Sequence, residues 1–176
     1  MKIGILSDTH DRQPTLQKAL TLLLERDIDY LIHCGDWTKP ETVIAITEFT
    51  RTHGIPFSGV LGNRDDHEQL IQLSSSLSSA LTLPPGSEVL HLAIDNRRIT
   101  VYHGHHKPTL KRLIDTMDYD ALLTGHTHKP RIDEVDQRLI INPGSTAFSI
   151  PRKKEPRSVA IYDTSTHSAE ILYFEA

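Results

Sequence analysis

The first 61 residues alternate short apolar runs with segments whose leucines recur at helical spacing. Lys2 to Ser7 (KIGILS), Tyr30 to His33 and Pro56 to Leu61 read as buried strands. Between them, Pro14 to Arg26 carries Leu16, Leu20, Leu23 and Leu24 on one helical stripe. Pro40 to Thr52 reads as a second helix, with proline near its start and Gly54 just past its end. Asp66 to Leu81 holds a third through Glu68, Leu70, Ile71 and Leu73, and its serine-rich second half, Ser74 to Ser79, has weak helix propensity. Strand, helix, strand, helix, strand argues a parallel sheet with helices packed on it.

The second half changes character. Glu88 to Ile94 and Arg98 to His103 flank Asp95-Asn96-Arg97, a hairpin signal. Lys107 to Met117 is helical and Ala121 to Thr124 a buried strand. Arg131 to Val135, Arg138 to Ile141, Ser158 to Asp163 and Glu170 to Phe174 are short strands joined by turns. The expected fold is α/β: a four-layer α/β/β/α sandwich of two mixed β-sheets flanked by helices. No linker divides the chain, so residues 1–176 are expected to form one domain.

The formal net charge is −4, which excludes broad attraction to nucleic acid or anionic membrane but not a local basic site. One cysteine, Cys34, leaves no intramolecular disulfide and no CxxC pair. The N-terminal apolar run meets a charge at Asp8, too soon for a signal peptide, and no run approaches a membrane span. A reducing cytoplasm is the expected setting. No membrane partner and no stable nucleic-acid complex are expected, and a homo-oligomer is compatible with the sequence.

Histidine is over-supplied, at 11, and six of these fall in three short motifs: His10; His103, His105 and His106; His126 and His128. The motifs lie at predicted strand ends, where ligands bind in open α/β sheets. Asp8-Thr9-His10 follows the first strand, Gly35-Asp36 the second, Gly62-Asn63-Arg64-Asp65 the third and Gly125-His126-Thr127-His128 the Ala121 strand. His103-Gly104-His105 ends another. Carboxylates, imidazoles and an amide oxygen, without a thiolate, suit Mn, Fe, Zn, Co or Ni. Gly35, Gly62, Gly104 and Gly125 are expected to let the backbone turn where ligands converge. Each motif alone is weak, since a Gly-Asp pair is usually a turn; their joint occurrence in this order is specific.

The ordered set, closed by Asn142-Pro143-Gly144-Ser145, resembles the calcineurin-like metallophosphoesterases and, within them, the small bacterial and archaeal phosphodiesterase branch. The resemblance implies a hydrolase acting on small phosphate esters, most of all phosphodiesters. Asp8, His10 and His128 would hold one divalent ion. Asn63, His103 and His126 would hold a second, and Asp36 would bridge the pair. It implies two ions per chain, manganese first, with nickel, cobalt, iron or zinc as alternatives. A hydroxide shared by the ions would be the nucleophile.

Arg64 departs from the pattern, because many relatives have His there and the small branch often has Cys. Arginine stays protonated and is a poor acid, yet it can clamp a phosphate oxygen at two points. The plain alternative is an outward Arg64 paired with Asp65 or Asp66. His105 is the nearest other acid, or a group that orients a ligand. His33 and Cys34 read as core residues, Trp37 as a pocket wall or core edge, His106 as solvated, and Lys153, Lys154 and Arg157 as a solvated loop. Two other functions compete. One is a scaffold that keeps the fold with a degraded metal set, which the seven matching ligand positions oppose. The other is a nuclease, which would need a basic groove or a cap.

Overall fold

The structure, a computed structural model, describes residues 1–77, 81–82, 88–147 and 156–175. Lys153 and Lys154 of the predicted charged loop lie outside these residues, as does the end of the serine-rich segment.

Two mixed sheets stack face to face. Strands β1 (Lys2–Leu6), β2 (Tyr30–His33), β3 (Phe57–Gly59), β4 (Leu81–Thr82), β10 (Arg157–Asp163) and β11 (Ser168–Phe174) form the first, in the order β11-β10-β1-β2-β3-β4. Strands β5 (Val89–Ile94), β6 (Arg97–Tyr102), β7 (Ala121–Leu123), β8 (Arg131–Val135) and β9 (Arg138–Asn142) form the second, in the order β5-β6-β7-β9-β8. Helices α1 (Gln13–Leu24), α2 (Pro40–His53) and α3 (His67–Ser76) cover the first sheet, and α4 (Lys107–Thr116) covers part of the second. The four-layer sandwich is therefore present.

The apolar runs are explained by burial on both faces. In β1, Ile3 and Ile5 point between the sheets while Leu6 points to the helices. Ile32 and Leu31 divide the same way on β2. On the second sheet, Ile99, Val101, Ala121 and Leu123 fill the space between sheets, and Tyr102 and Leu122 pack under α4 with Leu113. Gly54 closes α2 in the left-handed region at φ +67°, where glycine carries no Cβ penalty. Asp66 caps α3, its Oδ1 accepting from the Gln69 N–H at 3.1 Å.

The helix through Glu68, Leu70, Ile71 and Leu73 is present and ends at Ser76, inside the serine-rich half expected to be weak, and Leu81–Thr82, at the end of that segment, is a strand paired parallel to β3. One expectation needs correction. Arg97 is not part of the hairpin turn. Asp95 and Asn96 alone make it, both at positive φ, and Arg97 already pairs with Ile94, as a two-residue turn requires.

Candidate metal centre

The loops after β1, β2, β3, β6 and β7 meet at one end of the sandwich. Asp8 and His103 are completely buried and Asp36 is 3% exposed. The His128 Nε2 lies 3.0 Å from Asp8 Oδ1, and the His10 Nε2 lies 3.3 Å from the His128 Nε2. Asp36 stands between the two groups, its Oδ2 3.7 Å from His10 Nε2 and its Oδ1 3.3 Å from His103 Nε2. Two sets of ligand atoms, Asp8-His10-His128 and Asp8-Asp36-His103, each fall within 4.8 Å of one another. His126 is exposed, its ring edge-on to that of His103 with centroids 5.3 Å apart. Asn63 is exposed on the loop that begins at Gly62.

Local backbone serves this convergence. Asp8, His10, Asp36, His126 and His128 all have positive φ, between 43° and 66°. Non-glycine residues rarely adopt this region, and it persists where surrounding contacts fix it, often at functional sites. Gly62 and Gly125 work differently from the expected sharp turns: neither has positive φ. A Cβ at Gly62 would overlap the Asp36 carboxylate, and one at Gly125 would overlap the Ser7 hydroxyl. These glycines let another segment approach.

The carboxylates are held by donors. Asp8 Oδ2 accepts from the Ser7 hydroxyl at 2.6 Å and the His126 N–H at 3.0 Å. Asp36 Oδ1 accepts from the Arg64 N–H at 2.9 Å. Burial works against the Asp36 charge, but the His103 contact, the Arg64 N–H and His10 outweigh it and hold its pKa down at about 2. His103 donates Nδ1–H to the Cys34 carbonyl at 2.8 Å, which turns Nε2 inward. Burial lowers the His103 pKa, but contact with Asp36 and the charge of Asp8 raise it overall. Burial dominates at His10 and His126 and lowers both, keeping these imidazoles neutral and able to bind a cation.

Two atoms test whether the residues fit a metal. Asp8 Oδ1 and His103 Nε2 are buried and make no hydrogen bond. Each faces another ligand-type atom, His128 Nε2 and Asp36 Oδ1 respectively, and a buried carboxylate oxygen and imidazole nitrogen that make no hydrogen bond are costly. Both lie in the cluster where His10, His128 and Asp36 converge, and a divalent cation would satisfy them.

A model for the calcineurin-like phosphoesterase superfamily domain matches residues 1–167. The chain belongs to the calcineurin-like phosphoesterase superfamily. Phosphodiesterase MJ0936 of Methanocaldococcus jannaschii is 31% identical over 144 residues, 82% of this chain and 83% of the relative. A solved archaeal phosphodiesterase superposes with TM-score 0.85 at 27% identity, covering 99% of this chain and all of that one. Vacuolar protein sorting 29 of Cryptosporidium parvum shares the fold, with TM-score 0.64 at 22% identity over 99% and 97% of the two chains. This superfamily is metal-dependent, in keeping with the ligand groups here.

Around the superfamily motifs, residues that the sequence left plain hold the site. Asp65 accepts from the Gly62 N–H at 2.7 Å, the Thr38 N–H at 2.7 Å and the Asp36 N–H at 3.1 Å. It is thus not the partner of Arg64, and Asp66 is spent on its helix cap. Arg64 is exposed, and its charge makes a small contribution to the lowering of the His10 pKa. Asn142 donates to the Gly125 carbonyl at 2.7 Å and to the Thr127 hydroxyl at 3.1 Å, and Ser145 donates to the Asp8 carbonyl at 2.8 Å. The predicted turn at 142–145 is therefore a clamp on two ligand loops. His33 is the satisfied core histidine expected: the Gly35 N–H donates to Nδ1, so Nε2 carries the proton and donates to Thr9 Oγ1. Trp37 is core, stacked on His33 at 3.7 Å. His105 contacts Glu88 through Nε2 at 3.2 Å, while its Nδ1 is buried without a partner. His106 accepts or donates at Thr109 Oγ1, 2.9 Å away on an exposed helix start.

Proposed function

We propose that residues 1–176 form one metallophosphoesterase domain that hydrolyses small phosphodiesters with two divalent ions. The observation that carries this reading is the pair of buried atoms that make no hydrogen bond, Asp8 Oδ1 and His103 Nε2, facing the other imidazoles and the ionised Asp36 carboxylate of the cluster. Asp8, His10 and His128 would hold one ion, Asn63, His103 and His126 would hold the other, and Asp36 would serve both. Oxygen and imidazole donors without thiolate fit manganese first, then nickel, cobalt, iron or zinc. When bound, such ions lower the pKa of water and neutralise charge on phosphate oxygens.

The chain's own residues complete the chemistry. Asp36, ionised well below neutral pH, keeps negative charge at the centre of the site throughout the working range. The Arg64 guanidinium, on the exposed rim, holds a phosphate oxygen by a two-point contact. Glu88 draws the neutral ring's proton to His105 Nε2, so Nδ1 is left as the acceptor nitrogen; His105 can give a proton from Nδ1 to the leaving oxygen only as imidazolium, the form that the Glu88 charge favours and burial disfavours. The exposed rim suits small esters. Among the described residues no helix is long and apolar enough to cross a membrane, and a buried, unpaired Cys34 fits a reducing cytoplasm. The test is a panel of mono- and diesters assayed with manganese, nickel, cobalt, zinc and magnesium. Metal-dependent release from diesters is expected; metal uptake without turnover on any ester would favour the scaffold.

A further inference from the structure

Among the described residues, the second sheet is only partly covered on its outer face. α4 lies over β6 and β7, where Leu113, Tyr102 and Leu122 are closed in, whereas Ile140 of β9 stays half-buried. Beside α4, over β9 and β8, lies a cavity of about 230 Å³. Its walls are Leu110 and Ile114 from the helix and Ile140 from the sheet. Among the described residues, these side chains lack the apolar cover that their counterparts on the first sheet receive from three helices.

The cavity abuts the metal centre. Gly104, between His103 and His105, lines it, and so does Thr127, between His126 and His128. The wall at Gly104 is bare: a Cβ there would meet nothing nearer than 3.9 Å. Lys129, exposed on the loop that carries His128, and Arg131 stand on its rim. Arg131 is paired with Asp133, so Lys129 supplies the net positive charge. An apolar pocket with one cationic edge, next to a phosphate-binding centre, suits the organic part of an anionic ester. Its volume is below the roughly 300–1,000 Å³ of clefts that take drug-sized ligands, which limits the occupant to one ring system.

We propose that this cavity is the subsite for the ester group that the phosphodiester retains, and that it takes an aromatic ring. The inference rests on the phosphodiesterase reading above and adds its substrate class: aryl, or similarly flat heteroaromatic, diesters. Bis(4-nitrophenyl) phosphate and methyl 4-nitrophenyl phosphate share a leaving group and differ in the retained group, aryl against methyl. The wild type should favour the aryl diester by about tenfold in kcat/KM, the scale set by burying part of one ring. Leu110→Trp, which fills the cavity, should abolish that preference through KM and leave the methyl diester unchanged. Lys129→Glu should weaken both diesters, through the rim charge.

A binding readout separates failure of this inference from failure of the enzymatic reading. Phenylphosphonate and methylphosphonate are titrated into chelator-treated protein, following methyl resonances by NMR. Phenylphosphonate alone should shift Leu110, Ile114 and Ile140, and Leu110→Trp should remove the effect. If those methyls do not respond, the subsite is wrong whatever the activity. If they respond but neither diester is hydrolysed, the cavity binds rings and the phosphodiesterase reading fails, which overturns the substrate assignment. Equal rates on both diesters, unchanged in Leu110→Trp, would also overturn it.

Discussion

The wall of the site built by β1 and β2 is buried and carboxylate-rich, whereas the loop after β7 is exposed and imidazole-rich. Asp8 and Asp36 are packed beneath the surface; Asp8 Oδ2 accepts from Ser7 and His126, and Asp36 Oδ1 accepts from the Arg64 N–H. His128 keeps 24% of its side chain exposed, and its loop is fastened by Asn142 and by the N–H groups of Gly125 and His126. The difference teaches which part of the centre is preformed. Charged oxygens must be placed by folding, because an ionised carboxylate out of position is costly to bury. Neutral imidazoles can stay near water and close on a cation when it arrives.

The largest effect should come from the buried wall. Asp36→Asn keeps the side chain's shape but removes the charge shared by both ligand groups. Metal content, read by mass spectrometry of the purified protein, should fall for both ions, and kcat should drop by about 10³-fold or more. A variant with wild-type metal content and rate would show that the centre does not depend on this carboxylate.

Asp65→Asn tests why that wall is rigid. Three backbone N–H groups at Gly62, Thr38 and Asp36 converge on one carboxylate, and an amide offers a single acceptor oxygen. Leaving buried donors unmatched should destabilise the protein by about 3 kcal/mol, measured by urea denaturation of chelated protein. Burial raises the Asp65 pKa to about 6 despite those N–H bonds. A raised acid pKa means that ionisation costs stability as pH climbs from the ordinary carboxylate range through about 6. The wild type should therefore lose part of its stability over that interval, and Asp65→Asn should not show that step. A pH-independent difference between the two proteins would refute this account.

The ligand motifs were legible because each is continuous in sequence and sits at the end of an apolar run. Spacing and chemistry mark Asp8, His10, Asp36, Asn63, His103, His126 and His128 as strand-end motifs, and the family resemblance implies their roles as ligands. What holds them was not legible, since the partners are far apart in the chain. Asp65 reads as one more charge in a loop until β2 and β3 lie side by side and bring Thr38 to it. Gly62 reads as a turn until Asp36 occupies the space its side chain would need. Asn142 reads as a turn residue until β9 pairs with β7 and sets its amide under Gly125. β4 was missed for a related reason: two residues of strand carry no periodicity, and only pairing with β3 defines them.

Acidification should sharpen the contrast between wall and loop. Ligand imidazoles must be neutral to bind metal. The carboxylate contacts of His103 raise its pKa, whereas those of His10 and His126 are lowered. As pH falls, His103 protonates first, beginning above the ordinary histidine value of about 6.5. Metal affinity, followed by isothermal titration, should fall by about tenfold per pH unit below that point. His103→Gln should bind more weakly at neutral pH and lose this part of the pH dependence. A profile unchanged in that variant would assign the proton elsewhere.

On the exposed side, Asn142→Ala removes the donors that fasten Gly125 and Thr127. Metal affinity should weaken by about tenfold, the lower end of what residues behind a ligand contribute. Crystals of the variant should show His126 and His128 displaced while Asp8 and Asp36 stay in place. Displacement of the carboxylates as well would mean that the two walls are coupled and not independent.

The smallest effect belongs to Arg64, whose backbone and side chain have separate duties. Its N–H donates to Asp36 whatever the side chain is, so Arg64→Ala should leave metal content unchanged. If the guanidinium grips the phosphate, kcat/KM on bis(4-nitrophenyl) phosphate should fall by about tenfold, as loss of one charge-assisted contact implies. Arg64→Lys should recover little of this, because an ammonium keeps the charge but loses the two-point geometry. Arg64→His should behave differently on substrates with poor leaving groups. A titrating imidazole there can donate a proton, which arginine cannot, and general-acid help of this kind is worth about 10²–10⁴-fold at most. Its rate should then acquire a dependence on pH near 6.5, with the protonated form the active one, so that activity declines as pH rises. His105→Ala separates the rival donor: if His105 supplies the proton in the wild type, its loss should slow alkyl esters while sparing nitrophenyl esters. An Arg64→Ala protein that matches the wild type on every ester would leave Arg64 as an outward surface residue whose only service to the site is its main-chain N–H.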